Sequence, residues 1–408
     1  MNMKKWIMAL LILTVAWQGR AATADDTAAQ QPDSMELHAS LLVISPGNDF
    51  YTTLGHCAIR LQAFLPADTL DYSYTLEMDA QNKALDYLLF MAGRKHSHWA
   101  AIPTDTFLIN YANEHRQVTA YELPCRHKEI QQLWERLDDA YVSPDMLPFD
   151  LSNNCTQGVV EMICQGNPPS MTIAETCEMA SMNNGELIRT LSEKYPWMQF
   201  LAICLIGNEA DKHWPVTKRM IPSLLPKMLR YHLSSLGQEE PVEQTLEHAP
   251  TTIIMKGTEP SPASRLTPGL VFSLLLVLSL LMLVLNMLRR CRRLTCVFDL
   301  LLFSAQLLLF LLMVWLTQLS TVFVRTWNWY LLPLFPLPLL LFLFGKKKNF
   351  GAAKSAKAFS VYTLLLLLFI LATPLSNQLD LTHQLITATL ALRAFAHSSF
   401  FLRQRQSN

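Results

Sequence analysis

The sequence predicts two joined parts: an exported α+β domain, followed by an α-helical transmembrane bundle of about five spans. Three observations carry that reading. The N-terminus has the form of an export signal, the apolar excess is confined to the chain beyond Pro268, and the polar part mixes strand-like with helix-like patterns. Of the 408 residues only 16% are charged, against about 25% in ordinary soluble domains, and the net charge is zero. That balance offers no cationic face, so no nucleic acid partner is expected.

Each element follows from local chemistry. Lys4 and Lys5 precede an apolar stretch over residues 6–17, too short to span a bilayer comfortably, and Ala22-Thr23-Ala24 offers a small-residue cleavage site. Residues 1–24 therefore read as a signal peptide or N-terminal anchor, and either version exports residues 25–240 as a periplasmic domain. Leu41-Leu42-Val43-Ile44 reads as a buried strand, ended by the turn Ser45-Pro46-Gly47-Asn48. Cys57-Ala58-Ile59-Arg60-Leu61 alternates apolar and polar, so His56 opens a second strand; residues 70–76 pair with it, and residues 117–123 form another. Ile130, Leu133, Trp134, Leu137 and Tyr141 recur at helical spacing, in a helix expected to end before Pro144. Asn153 or Asn154 caps a further helix through Val159, Val160, Met162 and Ile163, which places Cys155 in its first turn. Residues 241–267, polar and rich in proline and glutamate, read as a juxtamembrane linker.

The bundle occupies residues 268–402. Candidate spans are 270–288, 297–319, 327–344, 361–375 and 381–402, each near the roughly 20 residues a crossing needs. Basic residues follow the first (Arg289, Arg290, Arg292, Arg293), third (Lys346, Lys347, Lys348, Lys354, Lys357) and fifth (Arg403, Arg405), which puts those loops in the cytoplasm and the polar domain in the periplasm of a bacterial inner membrane. Asp299, Arg393 and His397 are costly in lipid and are functional candidates by default. The run Leu332-Pro333-Leu334-Phe335-Pro336-Leu337-Pro338 must kink or break its helix, and Trp327, Trp329 and Tyr330 fit an outer interfacial belt.

The chemistry centres on Gly55-His56 and Asn154-Cys155. A helix N-terminus favours an anion, so a cysteine there gains thiolate character, and a nearby imidazole can take its proton. First-turn N–H groups can hold the oxyanion of a tetrahedral intermediate. A helix-opening Cys155 facing a strand-borne His56 is the papain-like solution to acyl transfer, with histidine first in the chain, the permuted order. Cys57 is a rival thiol, but neighbours on a strand point to opposite faces, so His56 is badly placed to activate it. Tyr74, Asp71 and Asp150 are candidates for a third, orienting group, and Asn154 for a cap. His96-Ser97-His98 has a metal-like spacing without acidic or thiol partners nearby, so neither metal nor other cofactor is expected. Six of the eight cysteines (Cys57, Cys125, Cys155, Cys164, Cys177, Cys204) lie in the exported part, where disulfides are permitted but their connectivity is not legible.

Residues 41–47, Tyr51, and Leu54-Gly55-His56-Cys57-Ala58-Ile59-Arg60 resemble the opening motif of a bacterial periplasmic domain family. Tyr72 or Tyr74, Phe90 with Gly93, and Asn154-Cys155-Thr156 match its later motifs, and Trp327-Asn328-Trp329-Tyr330-Leu331-Leu332-Pro333 is similar to its membrane motif. The chain differs in one place, with Thr156-Gln157 where the family usually has a small residue and then Thr. The resemblance is to the lipoprotein N-acyltransferases of Bacteroides-type bacteria. It implies a fatty acyl chain taken from a phospholipid, held as a Cys155 thioester with His56 as base and then acid, and passed to the α-amino group of the diacylglyceryl-modified N-terminal cysteine of a lipoprotein. Two other readings use the same residues: a membrane-tethered cysteine peptidase or amidase acting on cell-wall peptides, and a disulfide-stapled scaffold without enzymatic activity.

Overall fold

The computed structural model describes residues 35–47, 54–65, 68–78, 92–148, 153–165, 171–173, 182–213, 221–233, 242–249, 251–258, 266–288, 291–319, 327–344, 352–376 and 378–398, with Thr52 and residues 85–86 and 89–90 besides. The export signal, Tyr51, Asp150, Cys177, Arg289, Arg290, Lys346, Lys347, Lys348, Arg403 and Arg405 lie outside the described residues.

The N-terminal domain is built on a sheet of β1 (Glu36–Ile44), β2 (His56–Phe64), β3 (Thr69–Met78), β4 (His96–Pro103), β5 (Val118–Glu122), β6 (Leu147–Pro148) and β10 (Thr251–Met255). Its order is β10-β5-β1-β2-β3-β4-β6, with every pairing antiparallel. Adjacent Leu41 and Leu42 are both fully buried, and neighbouring strand residues face opposite ways, so the sheet is covered on both sides. That is why the second half of β1, Leu41-Leu42-Val43-Ile44, reads as an unbroken apolar run. One face packs on α1 (Thr104–Asn113), where Phe107 meets Leu42, Ile44, Ala58 and Val118. The other packs on α2 (His127–Val142) and α3 (Cys155–Cys164), whose buried Ile130, Leu133, Leu137, Val159, Val160 and Ile163 close over Leu41, Ile59, Leu61 and Leu76. The expected stripe is therefore the core face of α2, except for Tyr141, which is exposed.

A second sheet joins β7 (Met171–Ile173), β8 (Leu229–Leu233) and β9 (Val242–Thr245). Residues 241–267 are thus not linker throughout. They contain β9 and β10, and β10 pairs with β5 at the edge of the main sheet. The apolar alternation there is short and interrupted by polar residues, so the edge position is decided by the partner strand. Between β7 and β8 in the chain come α4 (Asn184–Leu191), α5 (Pro196–Ile206) and α6 (Leu225–Met228).

The C-terminal region comprises α7 (Pro268–Met287), α8 (Arg292–Val314), α9 (Leu331–Leu334), α10 (Leu337–Phe344), α11 (Ala352–Ala372) and α12 (Leu381–Ala396). Among the described residues three helices are long and apolar enough to cross a membrane: Pro268–Met287, Arg292–Gln318 and Ala353–Leu375. The third expected span is instead a shorter apolar stretch, Leu331–Phe344, broken between α9 and α10 at Phe335 and Pro336. Gln306 Nε2 donates to the freed carbonyls of Pro333 and Phe335 (2.9 and 3.0 Å), and the Tyr362 hydroxyl donates to Pro333 as well, so the break is satisfied inside the bundle. The fifth, α12, is 16 residues long.

The three costly residues of the bundle are one another's partners. Arg393, wholly buried, donates from Nε and Nη2 to the two oxygens of Asp299 (2.7 and 2.9 Å), and His397 Nε2 lies 2.9 Å from Asp299 Oδ2. The cluster ties α8 to α12, which is a structural role. The two parts of the chain meet along α5, an almost wholly apolar helix. The buried Asn328 amide donates to the Cys204 carbonyl (2.6 Å), and Trp197 Nε1 donates to the Leu266 carbonyl just before α7 (2.6 Å).

Candidate active site

His56 is the first residue of β2, and Gly55 makes its approach possible. The Gly55 φ of +87° lies in the left-handed region, and a Cβ there would meet the Ile44 carbonyl oxygen at 2.7 Å. Cys155 is the first residue of α3. Asn154 is the N-cap, its side chain accepting from the N–H groups of Thr156 (3.0 Å) and Gln157 (3.1 Å), a contribution of about 1 kcal/mol to the helix. Gly158 lets α3 lie close on the sheet, since a Cβ there would come within 3.2 Å of the Trp99 ring.

These placements bring Cys155 against the thiol of Cys57, the imidazole of His56 and the hydroxyl of Thr156, 3.9 Å away. The Cys57 thiol donating to it, followed by the charge and hydrogen bond of His56 and by Thr156, holds Cys155 well below the usual thiol range, against a burial effect that raises it. Cys57 is fully buried, and burial first, then Cys155, pushes its own thiol well up. The expected rival is thus the less acidic of the two thiols, and its presence favours the acidity of Cys155. Cys155 itself is half-buried.

The hydrogen-bond partner of the His56 imidazole is one the sequence did not single out. His56 Nε2 is hydrogen-bonded to Thr75 Oγ1 at 2.6 Å, and Thr75 is fully buried on β3. Tyr74 pairs with Ile59, so its neighbour Thr75 falls on the other face of the sheet, the face of His56. Only the β2–β3 register reveals this. The expected alternatives lie elsewhere. Tyr74 turns to α2 and donates to Asp138, and Asp71 forms an ion pair with Arg60 (Nε to Oδ1, 2.8 Å) and accepts from Gln62. Burial raises the Asp71 carboxyl, but Arg60 and the hydrogen bonds outweigh it and leave it lowered. Asn154 is a cap, and its side chain occupies the N–H groups of Thr156 and Gln157. Tyr111 closes the far side, its ring 6.3 Å from that of His56.

His96 and His98 lie on β4. Among the described residues no three His, Cys, Asp or Glu side chains converge as a metal site, and Cys57, Cys155, Cys164, Cys204, Cys291 and Cys296 are free thiols.

The geometry is a helix-borne thiol on a sheet whose strand supplies the imidazole, histidine first in the chain. No curated protein and no solved structure matches the chain. Two family models do: the Lnb N-terminal periplasmic domain matches residues 24–191, which include His56 and Cys155, and the Lnb transmembrane domain matches residues 259–405. With both halves matched, the chain belongs to the Lnb family, with a periplasmic N-terminal domain and a transmembrane domain.

Proposed function

We propose that this protein is a lipoprotein N-acyltransferase working by a thioester on Cys155. The observation that carries the reading is the Cys155 thiol, half-buried at the start of α3 beside His56 and made more acidic by Cys57 and His56, in a chain that also carries a transmembrane domain. The thiolate attacks the ester carbonyl of a phospholipid. The carbonyl oxygen, negative in the tetrahedral intermediate, lies at the Cys155 N–H. The intermediate collapses, the C–O bond breaks, and the lysophospholipid alkoxide takes a proton from His56. The α-amino group of a diacylglyceryl-modified lipoprotein cysteine then attacks the thioester, His56 accepts its proton, and the Cys155 thiolate leaves. No cofactor is needed. The bundle keeps both lipid substrates beside the thiol, with about five crossings of the bacterial inner membrane.

The test is intact mass of the full-length protein, purified with native lipid and without acceptor. Wild type should carry a fatty-acyl mass that hydroxylamine removes, and Cys155→Ser should carry none. An unmodified wild type, together with a Cys155→Ser variant that still modifies lipoproteins in cells, overturns the reading. Peptide cleavage by the protein without lipid would favour a peptidase instead.

A further inference from the structure

In the bundle, α10 and α11 leave an open groove of about 360 Å³ between them, a volume in the range of small-molecule sites. Lys354, Ala358, Val361 and Leu365 line it from α11, at the i, i+4, i+7, i+11 spacing that keeps residues on one helix face. Lys357 and Tyr362 flank that stripe, and Leu337 at the start of α10 forms the opposite wall. Tyr362 offers the groove only its ring. Its hydroxyl is taken up inside the bundle, donating to the Pro333 carbonyl (2.9 Å) and accepting from Gln306 Nε2 (2.9 Å). The groove is therefore apolar along its length, with cations at one end.

The depth of that end follows from the chain. α11 has 21 residues and is about 31 Å long, close to the thickness of a bilayer's hydrocarbon. Just past its C-terminal end, Ser376 Oγ donates to Oδ2 of Asp211, which precedes the bundle (2.7 Å). That end of α11 thus faces the periplasm, and Lys354 and Lys357 lie at the opposite face. From Lys354 to Leu365 the groove runs about 16 Å, the depth of one leaflet. Helical Cα–Cβ bonds tilt toward the N-terminus, so the lysine stems run back to that face and carry their ammonium groups to the level of lipid headgroups. Both lysines are exposed, and among the described residues neither has a carboxylate partner. None is near in sequence either, since no Asp or Glu stands between Asp299 and Asp380, and Lys346, Lys347 and Lys348 add to the same charge.

An apolar slot one leaflet deep, with unpaired cations at its rim, complements a molecule with an apolar chain and an anionic head. We propose that the α10–α11 groove binds an anionic phospholipid of the leaflet opposite the periplasmic domain, its acyl chain along Val361 and Leu365 and its phosphate at Lys354 and Lys357. A zwitterionic lipid fills the slot as well, but its own ammonium competes for the phosphate, so the lysines gain less. A soluble anion lacks the chain. The ligand is not the acyl donor, whose ester must reach a thiol in the periplasmic domain. It occupies the gap beside the short, broken stretch Leu331–Phe344, and its binding to the folded bundle stabilises the fold by mass action.

The experiment uses the full-length, delipidated protein in detergent, and its readout is binding, independent of any chemistry at Cys155. Phosphatidylglycerol is titrated against phosphatidylethanolamine, which carries no net charge, and bound lipid is counted by native mass spectrometry. Wild type should bind one phosphatidylglycerol about tenfold or more tightly than phosphatidylethanolamine, and added salt should shrink that preference. Lys354→Gln combined with Lys357→Gln should bring the two affinities within about twofold of each other. Neither lysine has an ion pair to lose, so the thermal midpoint of this variant without lipid should match wild type. Arg292→Gln combined with Arg293→Gln removes the same charge from the same membrane face outside the groove, and it should keep the preference. Val361→Phe narrows the slot at an exposed position and should weaken phosphatidylglycerol binding about tenfold. Equal affinity of wild type for the two lipids, or a lysine variant as selective as wild type, overturns the proposal. An equal loss in the arginine variant overturns the groove as the place, because charge alone then attracts the lipid. A Val361→Phe protein that binds as wild type does overturns the seating of the acyl chain. A dimeric wild type whose dimer is lost in Val361→Phe gives the groove to a second copy of the chain and overturns the lipid.

Discussion

Cys155 opens α3 and is half-buried, whereas Cys204 sits in the last turn of α5 and is 3% exposed. Judged by distances alone, the second has the better triad. Cys204 Sγ lies 3.3 Å from His383 Nε2, and His383 Nδ1 lies 2.6 Å from Asp380 Oδ1. Its surroundings act the other way. Burial first, then the charge of Asp380, pushes the Cys204 thiol well up, while Cys57, His56 and Thr156 bring Cys155 down. The helix ends add to the contrast, because an N-terminus favours a thiolate and a C-terminal turn disfavours one, by about 0.3–1 kcal/mol each. A nucleophile, a base and an acid in line do not make a reactive site. Donors to the sulfur, helix polarity and access decide it. The Cys204 cluster instead joins α5 to the bundle.

The comparison can be broken or sharpened by five measurements. The largest effect belongs to Cys155→Ser, which should lower lipoprotein N-acylation in a reconstituted assay about 10⁴-fold or more. His56→Gln should cost about 10³-fold, mostly in kcat, since a neutral amide cannot exchange the protons of both half-reactions. At pH 6, iodoacetamide should modify Cys155 at least about 100-fold faster than Cys204 in the folded protein, by peptide mass mapping; comparable rates would void the contrast. Cys57→Ala removes the largest lowering influence on Cys155, so the alkylation profile should move to higher pH, with a rate at pH 6 about tenfold lower. Thr75→Val frees the imidazole, and should reduce kcat severalfold, for a lost bond of about 1 kcal/mol.

The two thiols also carry opposite pH signs. Cys155 is more acidic folded than unfolded. It therefore stabilises the fold above the ordinary thiol value of about 8.5, and that contribution is lost as pH falls through its lowered folded value. Cys204 is less acidic folded than unfolded, so its contribution is present below the ordinary value and is lost as pH rises toward its raised one. Comparing the denaturation midpoints of Cys155→Ser and Cys204→Ser with wild type across that range separates the two.

Much of the site was legible before any coordinates. Asn154 is a capping residue followed by a helical apolar pattern, and that local signal alone puts Cys155 at a helix start. Alternation after Gly55 likewise opens β2 at His56, and the clean division of polarity at Pro268 marks the bundle. These features are set by interactions within a few residues, which is why the chain reports them. Thr75 and Cys57 were not legible as partners of the dyad, because their roles depend on the register of β2 against β3 and on how closely Gly158 lets α3 approach. The same holds for β10, an edge strand recruited by β5, and for Asp299, Arg393 and His397, which sequence reads as three costly residues and packing makes one neutralised cluster. Local chemistry thus determined which residues open each element and which half of the chain meets lipid. Only tertiary structure decided which thiol is the more acidic and which oxygen partners the imidazole. Those depend on distances between segments far apart in the chain, and on burial that no single segment provides.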